Sequence, residues 1–188
     1  MTQINISLCF PQLSEQEQRQ LVKQSLIEDG RLLLELLFLW SQPPKQLLDK
    51  VVSVEGEELL TEALAKNRGV LIALPHLGAW ELAAVYCAQF PGLTALYKPG
   101  RIEFINERIK ALRQRAGMQL FATDKVGVKA LFKALKEGAP VIILPDQVPP
   151  KGTGELVDFC GEPAYCTKLY SRLAQVSQAP TLLLLVTR

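Results

Sequence analysis

The chain has 188 residues, of which 48% are hydrophobic and 21% are charged. This composition excludes a disordered tail, a collagen-like fibre and a small disulfide-stapled scaffold, and the length is that of one ordinary domain. Lys and Arg number 21 against 19 for Asp and Glu, so the net charge of +2 gives no global reason to expect a nucleic-acid partner. With one histidine in the chain, a metal site built on several histidine ligands is also excluded.

The predicted elements begin with a long N-terminal helix. Ser14 followed by Glu17 is a capping-box signature that opens it, and Pro43 with Pro44 ends it. The most apolar run, Leu32 to Trp40, covers nine residues and is interrupted by Glu35, about half of the ~20 residues that a membrane-crossing helix needs. We therefore expect no membrane-spanning segment, and the first ten residues do not read as a secretory signal.

After this helix, short apolar strands alternate with helical segments. Strands are predicted at 70–74, 93–97, 118–122, 141–144, 156–159 and 181–186, and helices at 80–89, 102–116, 126–137 and 167–178. Continuous apolar strands separated by helices predict an α/β sheet covered by helices on both faces. The last strand is expected to be buried, which suggests that the sequence is a piece of a longer chain.

The four cysteines have spacings that match neither a zinc site nor a Cys-x-x-Cys redox motif. They are Cys9, Cys87, Cys160 and Cys166. We expect them to be reduced and mostly buried thiols in a cytosolic compartment.

Ligands of such sheets usually bind beyond the carboxyl ends of the strands. Polar residues follow three of the predicted strands: His76 after the first, Lys98 to Arg101 after the second, and Asp146 with Gln147 after the fourth. These loops are the candidate site.

His76 and Glu81 are the candidate catalytic pair. Five residues on one regular helix would leave the two side chains about 140° apart, so His76 must lie in the turn before the helix and Glu81 in its first turn. A neutral imidazole could then act as general base with the carboxylate supporting its cationic form. The alternative is a histidine that forms hydrogen bonds within its loop or the core and has no catalytic role.

The order of motifs along the chain is more specific than this pair. His76 to Glu81 read HLGAWE, Tyr97-Lys98-Pro99 follow, Arg113 lies in the next helix, and Pro145-Asp146-Gln147 follow a later strand. With the N-terminal segment NISLCFPQLSEQEQ, this order resembles the bacterial lipid A biosynthesis acyltransferase family, the lauroyl and myristoyl transferases of the lysophospholipid acyltransferase superfamily. The resemblance extends over the whole chain.

The resemblance implies a fold like that of the glycerolipid acyltransferases, a mixed sheet covered by helices. It implies one acyltransferase domain over residues 1–188, incomplete at both ends, without the N-terminal membrane helix and C-terminal strands of the family. It places the protein at the cytoplasmic face of the bacterial inner membrane, peripherally for this segment.

The resemblance also implies the reaction. A fatty acyl chain would pass from an acyl carrier protein thioester to a hydroxyl of a lipid A precursor, with His76 as general base, Glu81 orienting the imidazole, and no cofactor, metal or nucleic acid. Tyr97, Lys98, Arg113, Asp146 and Gln147 would bind substrate, and Arg113 would contact phosphate or headgroup. For Asp146 a substrate-orienting, loop-anchoring or catalytic role stays open.

Arg101, Arg108 and Arg115 recur every seven residues and share one helical face. This stripe is either a solvated face or a contact for the membrane surface or the carrier protein. Two other functions also stay open: acyl transfer to another glycolipid or phospholipid, and an inactive membrane-associated fragment. An α/β-hydrolase is disfavoured because the chain has no Gly-x-Ser-x-Gly motif.

Overall fold

The computed structural model describes residues 1–98, 100 and 102–188. Its helices are α1 (Thr2–Cys9), α2 (Glu15–Ser41), α3 (Pro44–Leu48), α4 (Glu57–Ala65), α5 (Trp80–Cys87), α6 (Glu103–Arg115), α7 (Lys125–Lys136) and α8 (Leu169–Ser177). Its strands are β1 (Val70–Ala73), β2 (Thr94–Tyr97), β3 (Gln119–Ala122), β4 (Pro140–Ile143), β5 (Gly154–Phe159), β6 (Glu162–Thr167) and β7 (Thr181–Leu183).

The main sheet has five strands in the order β3-β2-β4-β1-β7. Every strand pairing in it is parallel, and β5 pairs with β6 in a separate antiparallel hairpin. The predicted α/β class is confirmed. The antiparallel component expected of a mixed sheet lies in the hairpin, whose residues are largely exposed, and not in the sheet itself.

Helices cover both faces of the sheet, and the two faces are distinguished by alternate side chains of β1. Val70 and Ile72 pack in a core shared with α4 and α5, whereas Leu71 packs with α7 and α8. Because β1 and β4 are buried on both faces, each is an unbroken apolar run, as expected of central parallel strands.

A third apolar cluster places α2 on the α5 side of the sheet. It joins Leu39 of α2 and Leu47 of α3 to Val85 of α5 and Leu112 of α6. The long N-terminal helix therefore lies outside the α5–α6 layer, on the opposite side of the sheet from α7 and α8.

The predicted capping box at the start of α2 is confirmed. The Ser14 hydroxyl accepts a hydrogen bond from the Glu17 backbone N–H, and the Glu17 carboxylate accepts one from the Ser14 N–H at 2.8 Å. Sequence reasoning missed α1, α3, α4 and β6. In β6 the obstacle is Pro163, which cannot donate to a ladder and is tolerated here because the hairpin has free edges.

The strand β7 pairs with β1 among the described residues, and it exposes Thr181 and Leu183. The expectation that most of the cysteines are buried is wrong. Of the four free cysteines only Cys87 is buried, because Cys160 lies in the β5–β6 turn and Cys166 on the hairpin.

Candidate active site

The carboxyl ends of β1 and β4 bring His76 beside Asp146. These strands are neighbours, with Ala73 in register with Ile143, so the loops that follow them start side by side. His76 lies in the loop after β1, before α5 begins at Trp80, as the spacing to Glu81 predicted. Two segments about 70 residues apart in sequence therefore meet at one edge of the sheet.

Asp146 holds His76 at two points. One carboxylate oxygen accepts the His76 backbone N–H at 2.7 Å, and the other lies 2.7 Å from the imidazole Nδ1. Partial burial alone would raise the pKa of Asp146, but the hydrogen bonds from the His76 ring and backbone lower it. The carboxylate is therefore charged at neutral pH and can only accept, so Nδ1 is the nitrogen that donates.

The other ring nitrogen, Nε2, lies 3.2 Å from the side-chain amide nitrogen of Gln147. An amide N–H₂ donates, so Nε2 carries the lone pair. The network thus favours the tautomer with its proton on Nδ1 and its lone pair on Nε2, on the far side from Asp146. This is the arrangement that a general base requires.

Glu81 has a partner different from the expected one. Its carboxylate oxygens accept hydrogen bonds from Nε and Nη2 of Arg113, each at 2.8 Å, and Glu81 is fully buried. Burial opposes the charge on Arg113, but the hydrogen bonds and charge of Glu81 outweigh it and raise the Arg113 pKa. Glu81 faces α6 from the first turn of α5, so the carboxylate that hydrogen-bonds the imidazole is Asp146.

Trp80 contacts both His76 and Arg113. Its ring meets the His76 ring edge-on with centroids 4.9 Å apart, and the Arg113 guanidinium lies 5.7 Å from the centre of the same ring. Trp80 thereby links the imidazole to the Glu81–Arg113 pair through van der Waals and cation–π contact. Sequence reasoning did not single it out, although it adjoins Glu81 within the HLGAWE segment.

Gly78 makes the sharp loop around His76 possible. Its φ is +60°, and a Cβ at this position would overlap the backbone carbonyl oxygen of Val186. The segment after β7 lies against this loop, where the Leu184 N–H donates to the Ala73 carbonyl at 2.9 Å. A side chain at Gly78 would push these two segments apart.

A cleft of about 560 Å³ opens beside the imidazole. Of the residues predicted to bind substrate, Tyr97, Lys98, Arg113 and Gln147 line it together with His76, while Asp146 lies behind the imidazole. The rest of the wall is largely apolar and includes Leu96, Ile105, Ile109, Ile143, Leu144 and Leu169.

Tyr97 has a hydroxyl that is buried and finds no hydrogen-bond partner within the described part of the chain. Burial raises the pKa of this hydroxyl, so it stays protonated at neutral pH and is available to donate. A polar group in this state is the kind that a ligand of the cleft would satisfy.

The basic stripe predicted on α6 is only partly described. Arg101 lies outside the described residues, while Arg108 and Arg115 are exposed. The Arg108 guanidinium lies 5.1 Å from the centre of the Phe104 ring. Among the residues that the structure describes, none of the helices has the length and apolar character of a membrane span.

Comparison with known proteins places the chain in a family. The family model described as bacterial lipid A biosynthesis acyltransferase matches residues 1–188. The chain is 32% identical to the lipid A biosynthesis lauroyltransferase of Escherichia coli (strain K12) over 143 residues, which cover 76% of this chain and 45% of that protein. It is 27% identical to lipid A biosynthesis acyltransferase 2 of Shigella flexneri over 179 residues, 94% of this chain and 56% of that protein.

A relative with a different printed acceptor also matches. The phosphatidylinositol mannoside acyltransferase of Mycobacterium tuberculosis (strain CDC 1551 / Oshkosh) is 29% identical over 120 residues, 62% of this chain and 37% of that protein. The chain spans about half the length of the first two relatives, 45% and 56%. On the family match over its whole length, the chain belongs to the bacterial lipid A biosynthesis acyltransferase family.

Proposed function

We propose that this chain carries the catalytic site for transfer of a fatty acyl group from an acyl carrier protein thioester to a hydroxyl of a lipid A precursor, with His76 as general base. The observation that supports the proposal most directly is the position of the His76 imidazole. Its Nδ1 is held by Asp146 and its Nε2 lies beside a largely apolar cleft. Family membership supports acyl transfer as the reaction.

The acceptor hydroxyl would replace the Gln147 amide at Nε2. An alcohol is a poor nucleophile at neutral pH, so Nε2 takes its proton as the oxygen attacks the thioester carbonyl. The tetrahedral intermediate then expels the thiolate, which takes the proton back from Nε2. The ester bond forms, the thioester bond breaks and the imidazole returns to its starting state.

Asp146 serves two purposes in this reaction. It fixes the tautomer that leaves Nε2 basic, and its negative charge stabilises the imidazolium after proton transfer. Glu81, proposed from the sequence as the orienting carboxylate, would act through Arg113 and Trp80 instead. The buried ion pair holds α5 against α6, and Trp80 packs against the imidazole.

The remaining wall residues suit a phosphorylated lipid substrate. Exposed Lys98 and the buried Tyr97 hydroxyl in the cleft wall offer donors to headgroup oxygens, and the apolar wall offers a surface for an acyl chain. Arg113 already forms an ion pair with Glu81. Its contribution to headgroup binding would therefore be to shape the cleft wall.

A membrane contact is proposed for α2, at the cytoplasmic face of the inner membrane. One face of this helix exposes large apolar side chains at helical spacing. They are Leu26, Ile27, Leu33, Leu34, Leu37 and Phe38. An exposed apolar face of this kind would let the protein bind a bilayer surface, where a lipid acceptor resides.

Another glycolipid acceptor is the second candidate, favoured by the relative whose printed name is phosphatidylinositol mannoside acyltransferase. The same base and cleft could serve a different headgroup, because the chemistry requires only a hydroxyl. An inactive fragment is the third reading, and it predicts no transfer to either acceptor.

The test is an acyl-transfer assay with a matched pair of variants. The protein is incubated with acyl carrier protein thioester and either a lipid A precursor or a phosphatidylinositol mannoside, and products are identified by mass spectrometry. Asp146→Asn should slow transfer by about 10²-fold or more, whereas Asp29→Asn, an exposed control on α2, should leave it unchanged.

Each outcome has a meaning. Product from the lipid A precursor supports the proposal, and product from the mannoside alone moves the assignment to the second candidate. Absence of transfer to both acceptors would overturn the proposed activity of this chain. Equal rates for the two variants would remove Asp146 from the mechanism.

A further inference from the structure

A row of four lysines runs along α7. Lys125, Lys129, Lys133 and Lys136 are all exposed, and their spacing of four, four and three residues keeps them within an arc of about 80° over roughly 16 Å. We call these four residues the lysine row. Neither the base nor the cleft accounts for them.

Few acidic groups offset this charge along the helix. Asp124 caps α7, its carboxylate accepting hydrogen bonds from the N–H groups of Val126 and Gly127 at 2.8 Å. Glu137 lies 3.7 Å from Lys133 in an exposed pair, which screens little. The row therefore keeps a strong local positive charge on a chain whose net charge is only +2.

The surroundings extend the positive surface. Helix α8 packs against α7 and contains no acidic residue, and both Lys168, the residue before this helix, and Arg172, in its first turn, are exposed. At the far end of the row, Lys136 and Arg68 line a cavity of about 400 Å³ with Phe132 and Val176. Val126, 70% exposed, adds an apolar contact beside Lys125.

The lysine row and the apolar face of α2 lie on opposite sides of the sheet. Leu71 of β1 packs on the α7–α8 side, whereas α2 lies outside α5 and α6 on the other. A bilayer bound through α2 would leave the lysine row facing water. The partner that fits the row is therefore a soluble acidic macromolecule and not the lipid surface.

The row also begins next to the candidate active site. Thr123 lines the cleft, and Lys125 opens α7 two residues later. A partner bound along α7 would thus have one end at the mouth of the cleft, within reach for a reactive group carried on a flexible tether.

We infer that the lysine row of α7 is the docking surface for an acidic protein that delivers the acyl group on a tether. The inference rests on the proposed function, in which the donor is an acyl carrier protein. Docking through exposed charge steers encounter and sets the salt dependence of binding. The tethered thioester would then enter the cleft while the carrier stays on α7.

Helix α6 provides a matched comparison. Arg108, Lys110 and Arg115 are exposed there, but the same helix also contains Glu103 and Glu107, and it lies on the α2 side. Lys129→Glu/Lys133→Glu/Lys136→Glu and Arg108→Glu/Lys110→Glu/Arg115→Glu each replace three positive charges by three negative ones. Each therefore lowers the net charge by six, from +2 to −4. Any difference in carrier binding between the two variants therefore reflects where the charges lie and not the total charge.

The experiment measures binding and transfer separately. Binding of an acyl-loaded acyl carrier protein is followed by fluorescence anisotropy at low and high salt, and transfer is measured with that donor and with a protein-free acyl-pantetheine thioester. The α7 variant should bind the carrier about tenfold or more weakly at low salt, with the difference shrinking at high salt. It should use acyl-pantetheine at the rate of the unmodified protein, and the α6 variant should resemble the unmodified protein with both donors.

Controls separate docking from folding and from other anions. Lys129→Gln/Lys133→Gln/Lys136→Gln keeps helix propensity and should weaken carrier binding in the same direction, with an unchanged thermal melt. Carrier binding unaffected by the α7 changes, or weakened equally by the α6 changes, would overturn the inference. The inference would also be overturned if the α7 changes weakened binding to anionic phosphatidylglycerol vesicles or duplex DNA but did not weaken binding to the carrier.

Failure of the proposed function has a different signature. If neither donor supports transfer while carrier binding depends on α7, the docking surface stands and the catalytic proposal fails. If both donors support transfer with identical rates in the α7 and α6 variants, the catalytic proposal stands and the docking inference fails.

Discussion

His76 owes its chemical state to residues that the fold brings from a distant part of the chain. Asp146 accepts a hydrogen bond from Nδ1–H and Gln147 faces Nε2, so the fold favours the tautomer with its lone pair on Nε2 before any substrate arrives. Preorganisation of this kind removes the need to reorient the base during the reaction. The cost is a carboxylate held partly away from water, which the two His76 hydrogen bonds offset.

The tautomer is directly observable because the chain contains a single histidine. We expect long-range ¹⁵N–¹H correlation spectra of ¹⁵N-histidine-labelled protein at neutral pH to show a protonated Nδ1 and an unprotonated Nε2. Asp146→Asn should remove this preference, since an amide can accept or donate. A dominant Nε2–H tautomer in the unmodified protein would contradict the network.

The sequence predicted the position of His76 but not its partner. The five-residue spacing to Glu81 required His76 to lie in the turn, and it does. The contact with Asp146 depends on β1 and β4 being neighbours in the sheet, which no local pattern encodes. Both carboxylates were identified from motifs, and only the strand order decides which one reaches the imidazole.

At the scale of elements, the buried Glu81–Arg113 pair joins α5 to α6. Two hydrogen bonds of 2.8 Å satisfy both carboxylate oxygens, and Trp80 covers the guanidinium. The pair also sets one wall of the cleft, because Arg113 and Trp80 both line it. Its role is therefore to hold the helix that follows His76 in place.

Single and double substitutions of this buried pair should have non-additive effects on stability. Glu81→Gln or Arg113→Met alone leaves an uncompensated buried charge and should lower the free energy of unfolding by about 3–5 kcal/mol. The double variant Glu81→Leu/Arg113→Met removes both charges and should lose less than the sum of the single variants. Urea denaturation measures all three. Single variants that each lose under about 1 kcal/mol would show that the pair is not structurally important.

Elements with strong periodicity or capping signals were predicted well, and elements without such signals in the sequence were missed. The capping box of α2 and the apolar central strands are found close to where expected. Helix α4 begins after Gly56 without a side-chain cap, so no local signal marks its start. The apolar composition of β7 predicts a strand, but its pairing with β1 depends on the sheet order, which the local sequence does not encode.

In the molecule as a whole, the proposed lipid contact and the proposed carrier contact lie on opposite sides of the sheet. The apolar face of α2 lies on one side of the sheet, the lysine row of α7 on the other, and the cleft opens at the carboxyl edge between them. This arrangement would let a lipid acceptor and a soluble donor reach the same imidazole from different directions. The parallel sheet makes it possible, because each of its five described strands presents its carboxyl end at that one edge.

The most direct test of the central claim is the acyl-transfer rate of His76→Ala. A general base of this kind contributes about 10² to 10⁴-fold, so kcat should fall by that factor. The thermal melt should stay close to that of the unmodified protein, because the His76 side chain is partly exposed in a loop. A rate within a few fold of the unmodified protein would contradict the assignment of His76 as the base.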